Sequence, residues 1–212
     1  MHIEPGILSS AKIAAANLAA VSLLAVQAPQ LIKKPQLILR TLLAALFFSV
    51  FMQSFHMPAG ASELHFIGAM PIYLTLGFVP TLLGFGLGLL LQGVIFEPAD
   101  LLHLGVNVLS LAVPLVALHL GLGRKLAAGA ATEVKSVLKL DASYYAGVAA
   151  MVGFWLSMGQ VATPFAEWAT FAAAYLPVVL IEPVLTVAVV KLLHSQAHRP
   201  LVQLCFAVPA RG

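Results

Sequence analysis

Long apolar stretches, separated by short polar connections, run through almost the whole sequence. Hydrophobic residues make up 61% of its 212 residues and charged residues only 9%, whereas soluble domains carry about 25% charged residues. A helix needs about 20 mostly apolar residues to cross a bilayer. The sequence therefore predicts an all-α, polytopic membrane protein that forms a single domain over 1–212. About seven transmembrane helices are expected, at 8–28, 36–56, 65–78, 79–96, 101–122, 142–162 and 166–194.

Basic residues predict the orientation of these spans, because cytoplasmic loops are enriched in Lys and Arg. We place the chain in the cell (inner) membrane with the N-terminus outside and the C-terminus in the cytoplasm. Ten of the 11 basic residues then lie inside, and only Lys12 does not. The N-terminus and the loop at 57–65 then share the outer face. The basic connection at 123–141 is either a solvated linker or, in part, a surface helix that touches lipid or a partner.

Several classes of function are excluded by what the sequence lacks. A single cysteine, Cys205, rules out an internal disulfide and any multi-thiolate metal site. The chain contains no nucleophile elbow, no zincin motif and no Walker lysine. We therefore expect no enzyme activity, and we attribute the basic surplus to topology and anionic lipid rather than to nucleic acid.

The second residue, His2, creates a possible chelate at the chain end. The α-amine of Met1, the backbone nitrogen of His2 and the His2 imidazole can all reach one ion, and such a nitrogen set favours square-planar Ni(II), Cu(II) or a similar late metal. A fourth donor from elsewhere would complete the plane. The alternative is that residue 2 belongs to a frayed end that tolerates any polar residue.

Other polar residues are less specific. His65 opens the third stretch and either points into the outer mouth of the bundle or lies at the membrane interface. Asn107 places an amide within the membrane, where it must find partners and is expected to brace a ligand or loop. Glu182 lies deep in the last stretch, where ion pairing or protonation is the favoured interpretation. His194 and His198 lie four residues apart at an ordinary polar helix end.

Glycines in the fourth stretch predict close helix packing. Gly84, Gly86 and Gly88 lie inside an apolar span with no Lys-Ser/Thr after them, so a phosphate loop is a poor interpretation. Small residues instead let another helix backbone approach closely.

These motifs together resemble one family. MHIEPGIL at 1–8, PAGASELH at 58–65, LLLQGVIF at 89–96 and LGVNV at 104–108 are similar to segments of the CbiM/NikM family. That family comprises the substrate-binding (S) components of energy-coupling-factor transporters for cobalt and nickel. The resemblance covers residues 1 to about 117. Two departures are the segment at 97–102, where a Gly-rich turn is expected, and Glu63, where an uncharged residue is more usual.

The resemblance implies a seven-helix fold whose N-terminal segment inserts into the bundle. It implies a square plane formed by the Met1 amine, the backbone nitrogen and imidazole of His2, and His65. Residues expected to brace this site are Glu4, Ser62, Glu63 and Asn107. No permanent cofactor is implied, because Co(II) or Ni(II) would be the transported substrate. The implied partners are a transmembrane T component, cytoplasmic ATPase subunits that hydrolyse ATP and, as an open alternative, a small accessory membrane subunit.

Two other functions stay open on the sequence alone. A membrane redox protein would hold haem between histidines of different spans, but it needs histidines that face each other in mid-membrane, and these lie at span ends. A membrane assembly factor would bind no ligand at all. Metal content and the absorbance spectrum of the purified protein separate the three alternatives.

Overall fold

The computed structural model describes residues 6–59, 62–124 and 133–207, and almost all of this part of the chain is helical. Two short strands form the only sheet in these ranges. In chain order the elements are α1 (Ser10–Gln27), α2 (Pro29–Lys33), α3 (Gln36–Ser54), β1 (His56–Ala59), β2 (Ser62–His65), α4 (Ala69–Leu76), α5 (Phe78–Ile95), α6 (Leu104–Leu118), α7 (Val134–Ser157), α8 (Phe165–Ala174), α9 (Leu176–Ser195) and α10 (Pro200–Cys205).

The outer surface of the bundle is apolar, as a lipid-facing surface must be. Within the described residues, five helical segments are long and apolar enough to cross a membrane. α1 shows the pattern clearly, because Leu18 is 71% exposed whereas Ala16 and Ala20 are buried. Its small residues face α6, on which it packs. The fold is thus the all-α, multi-pass membrane fold that the sequence predicts.

The third predicted span differs from a continuous helix. Residues 65–78 contain the end of β2, then Gly68 with φ of 62°, and then α4. α4 has 8 residues and is about 12 Å long at 1.5 Å per residue, so it cannot cross a bilayer alone. Gly77, with φ of 94°, turns the chain directly into α5. Only glycine adopts such positive φ angles without strain, and these two residues delimit the half-helix.

Two later spans also depart from their predicted bounds. The predicted span at 142–162 begins earlier, because α7 starts at Val134 and incorporates the end of the basic connection. The predicted span at 166–194 is divided at Tyr175 into α8 and α9, and Pro177 lies in the first turn of α9. The number of transmembrane spans therefore stays a prediction.

The core contains the close helix pair that the glycines predict. α3 and α5 share the most extensive interface in the bundle. A Cβ atom on Gly84 would overlap Ala44, and one on Gly88 would lie 2.5 Å from the Phe48 ring. The ring of Phe48 packs on Phe85 at a centroid distance of 5.0 Å. The third glycine of the series, Gly86, faces Leu24 of α1 instead.

Candidate metal centre

A β-hairpin carries the predicted ligand His65 and was not expected from the sequence. β1 and β2 pair antiparallel, with His56 opposite His65 and Ala59 opposite Ser62. Because side chains alternate across a strand, Glu63 and His65 lie on one face and Ser62 on the other. His65 and Ser62 are buried, while the Glu63 side chain is 35% exposed.

The His65 ring is held at both nitrogens. Its Nδ1 lies 3.4 Å from the backbone oxygen of Met52, in the last turn of α3. The Met52 carbonyl and the Glu63 carboxylate both only accept hydrogen bonds, so the donor is whichever ring nitrogen carries the proton. An Nδ1–H bonded to a carbonyl is the usual support for a metal-binding imidazole. The end of α3 and the hairpin thus fix the position of the ring.

Glu63 lies beside the nitrogen that would bind. Its Oε2 is 3.0 Å from His65 Nε2. This is an ion-pair contact when the ring is protonated, and it places a negative charge where a cation bound to Nε2 would lie. Among the residues predicted to brace the site, Glu63 is therefore one that the structure places in contact with His65.

His56 lies beside His65, and the sequence analysis did not predict this contact. It is exposed, and its ring stacks on His65 with centroids 5.8 Å apart and an interplanar angle of 23°. The pairing follows from the hairpin register. The sequence offers one indication of this pairing. If the loop forms a hairpin that turns between residues 60 and 61, then residues 56 and 65 lie at equal distances from the turn and face each other.

The start of α6 is braced by a residue that the sequence did not single out. Asn17 of α1 accepts the N–H of Gly105 at 2.7 Å, and its amide donates to the Leu102 carbonyl at 3.3 Å. Asn107, predicted to brace the site, is buried in the first turn of α6. Its role toward a ligand stays a prediction.

His103 is a further buried imidazole just before α6. It is 1% exposed, and neither ring nitrogen has a hydrogen-bond partner among the described residues. Burial lowers the pKa of His103, an effect that the Asp100 carboxylate partly opposes. Burial therefore favours the neutral form of this ring.

The remaining histidines of the described ranges have other surroundings. The Nδ1 atom of His119 is hydrogen-bonded to the Tyr73 hydroxyl at 2.8 Å. The His119 ring also stacks on the Phe78 ring, with centroids 3.9 Å apart. His194 lies near the end of α9, and His198 lies between α9 and α10. No group of three or more His, Cys, Asp or Glu side chains that could hold a metal occurs within 6–59, 62–124 and 133–207.

The predicted N-terminal donors, Met1 and His2, and the bracing residue Glu4 lie outside the described residues. The chain that follows them is well anchored. The carbonyl of Ile7 accepts the N–H of Gln160 at 2.8 Å. Leu8 is 3% exposed. The N-terminal segment thus enters the structure beside the turn that follows α7.

Comparison with known proteins supports a shared fold and family. Residues 2–200 match the family model CbiM, described as the cobalt uptake substrate-specific transmembrane region. A crystal structure of a transition metal transporter aligns with a TM-score of 0.71 and 23% identity, covering 95% of this chain and 96% of that one. A truncated transition metal transporter aligns with a TM-score of 0.69 and 23% identity, covering 94% and 100%. At this identity the structures show the common fold alone. No curated protein sequence matches the chain.

Proposed function

The chain belongs to the CbiM family, the substrate-specific transmembrane region of cobalt uptake, and from that premise we propose that it is the metal-capturing S component of an energy-coupling-factor transporter. Its substrate would be Co(II) or Ni(II), taken from outside the cell. It is a transporter component and carries no Walker motif, so ATP hydrolysis is assigned to separate cytoplasmic subunits.

The orientation of the His65 ring is the observation that supports this proposal most directly. The ring is buried, and its Nδ1 contacts the Met52 carbonyl. Nε2 then has a lone pair for a metal once its own proton is lost. We assign it the fourth position of a square plane whose other three donors are the Met1 amine and the amide and imidazole nitrogens of His2. Such a set of nitrogen donors suits late divalent metals.

Glu63 would support the metal through charge. Its Oε2 lies 3.0 Å from His65 Nε2, which is about the separation of two adjacent donors bonded at 2.0–2.2 Å to one ion. A carboxylate here offsets the charge of a divalent ion in a partly buried site. It also gives a reason for an acidic residue at a position where the family resemblance leads us to expect an uncharged one.

The partners follow from the same proposal. A T component would contact the apolar face of the bundle, and a pair of ATPases would act through it from the cytoplasm. An accessory membrane subunit is an additional candidate. The family assignment supports these partners, and co-purification from cells that express neighbouring transporter genes tests them.

The direct test measures metal binding by the purified protein with an unmodified N-terminus. His65→Ala should abolish tight binding of Co(II) and Ni(II) in calorimetry, because it removes one of four donors. His194→Ala is the matched control and should bind like the wild type. Unchanged affinity in His65→Ala would contradict the proposed plane. A haem absorbance band in the purified wild type would support the redox alternative instead.

A further inference from the structure

A second polar cluster lies in the core of the bundle, where α4, α7 and α9 meet. α7 contributes Asp141 and Tyr145, and α9 contributes Glu182. The spacing of four residues places Asp141 and Tyr145 on one face of α7. Both carboxyl groups are 0% exposed. Two buried carboxyl groups in contact with one another are unusual enough to require a source of positive charge.

Glu182 has the partners of a charged carboxylate. Its Oε1 accepts the backbone N–H of Met70 at 2.9 Å, and its Oε2 accepts the hydroxyl of Tyr145 at 2.5 Å. Met70 is the second residue of α4, whose first N–H groups have no partner within the helix and carry partial positive charge. Glu182 therefore caps the half-helix from across the bundle.

Asp141 has the opposite surroundings. No donor from another residue reaches either of its oxygens in the described part of the chain, and its side-chain interaction is with the Glu182 carboxyl group. The ionisable group beside it is Glu182, and no Lys, Arg or His of the described residues contributes to its electrostatic surroundings. A charged carboxylate without a donor or a cation would cost several kcal/mol when buried. A carboxylic acid avoids this cost and has a hydroxyl that it can donate to Glu182.

The tyrosine hydroxyls around the two carboxyl groups do not supply the missing positive charge. The hydroxyl of Tyr144 is buried and has no hydrogen-bond partner among the described residues, and it lies within the electrostatic range of Glu182. The Tyr175 hydroxyl is also buried and interacts with the backbone of His65, and its ring stacks on Tyr145 at 4.8 Å. Neutral hydroxyls face the pair from α7 and from the α8–α9 junction, and they supply no positive charge.

We propose that Asp141 and Glu182 form a buried proton-binding pair, in which Asp141 is the carboxylic acid and Glu182 is the carboxylate. The bound proton stays on Asp141 and is donated toward Glu182. Loss of this proton leaves two negative charges in contact and weakens the junction of α4, α7 and α9. An alkali cation bound between the two carboxylates is the rival source of positive charge.

The test uses the full-length protein in detergent with transition metals removed by a chelator, so its outcome does not depend on the proposed metal site. Infrared spectra in H₂O and D₂O report the C=O band of a protonated carboxylic acid. The wild type should show this band at neutral pH, and Asp141→Asn should lose it. Glu133→Gln changes the exposed carboxylate just before α7 and should retain it.

Thermal unfolding provides the second readout. Asp141→Asn places an amide donor where the acid hydroxyl was, so its Tm at neutral pH should stay within roughly 2 °C of the wild type. Glu182→Gln cannot accept both hydrogen bonds and should lose roughly 4 °C or more. At alkaline pH the wild type should lose stability as the proton leaves, and Asp141→Asn should lose less.

Four results would each overturn the proposal. The band could persist in Asp141→Asn or vanish in Glu133→Gln. Asp141→Asn could lose as much stability at neutral pH as Glu182→Gln. Sodium in place of choline, at equal ionic strength, could raise the Tm of the wild type but not of Asp141→Asn, which would identify an alkali cation as the bound charge.

Discussion

The ammonium group of Lys12 donates a hydrogen bond of 2.6 Å to the backbone carbonyl of Met158, the C-cap residue that follows α7. The contact explains why one basic residue lies within the first apolar stretch. The carbonyl end of a helix carries partial negative charge, and a lysine there is favourable. Together with the bond between Ile7 and Gln160, it fixes where the N-terminal segment leaves the bundle.

Replacing Lys12 should therefore affect both stability and metal binding. Lys12→Met removes a helix-end interaction worth about 0.3–1 kcal/mol, which corresponds to a Tm lower by roughly 1–4 °C. Metal affinity should fall modestly, since the N-terminal donors lose one anchor. Differential scanning fluorimetry and calorimetry measure the two effects. Lys33→Met, an exposed position in α2, is the control, and an equal loss of affinity there would show that Lys12 has no specific role.

The proposed chelate depends on the position of the first two residues rather than on composition. One residue added before Met1 converts its amine into an amide, and Ala inserted between Met1 and His2 changes the ring sizes. Both changes should reduce metal loading severely, although every histidine remains. A C-terminal tag should be harmless. Metal per protein, measured by mass spectrometry, compares the forms, and equal loading in all of them would exclude the chain end as a ligand.

Glu63 should tune affinity without being indispensable. Glu63→Gln removes the charge beside His65 while preserving shape, and changes to groups supporting a ligand typically cost about 10–100-fold in metal affinity. Affinity should also fall at acidic pH, because the amine, the amide and the imidazole must each lose a proton to bind. Calorimetry across pH measures both effects. Glu97→Gln, in the exposed connection before α6, is the control, and it should match the wild type.

The predicted orientation is tested by labelling in intact cells. In a Cys205→Ser background, Ala99→Cys should react with a membrane-impermeant maleimide from outside, and Lys135→Cys should react only after the membrane is permeabilised. Both positions are exposed in the fold. The reverse pattern would overturn the orientation that the basic residues predict.

Gly105 should be intolerant of any side chain. A Cβ atom there would lie 2.5 Å from Asn17 Oδ1, and it would push α1 away from α6. Forcing extra volume into a packed contact costs about 1–3 kcal/mol, so Gly105→Ala should lower the Tm by roughly 3–12 °C. Gly121→Ala is the matched control, because nothing lies within 4 Å of a Cβ atom there. A Tm for Gly105→Ala equal to that of this control would contradict the predicted contact.

Hydropathy alone located four helices well. The predicted stretches at 8–28, 36–56, 79–96 and 101–122 correspond to α1, α3, α5 and α6, because each is apolar over nearly its full length. The stretch at 65–78 is equally apolar, but a buried strand end and a short buried helix share that composition. Only the positive φ angles at Gly68 and Gly77 decide between them, and apolar composition carries no information on such angles.

Site residues followed the same division. His65 and Glu63 belong to a local motif, so the sequence alone nominates them as candidates. The pairing of His56 with His65 depends on a strand register that only the symmetry of the loop indicates, and the contact of Asn17 joins distant helices. The sequence places Asp141 at the end of the basic connection at 123–141. In the fold, Asp141 lies within α7, and its side chain is buried in the core.

The short length of α4 has a consequence for the lipid around the protein. A bilayer core is about 30 Å thick, and α4 accounts for about 12 Å of it. Residues 62–68, which precede α4, are not helical, so any part of them within the hydrocarbon layer must have its backbone polar groups shielded by protein rather than exposed to lipid.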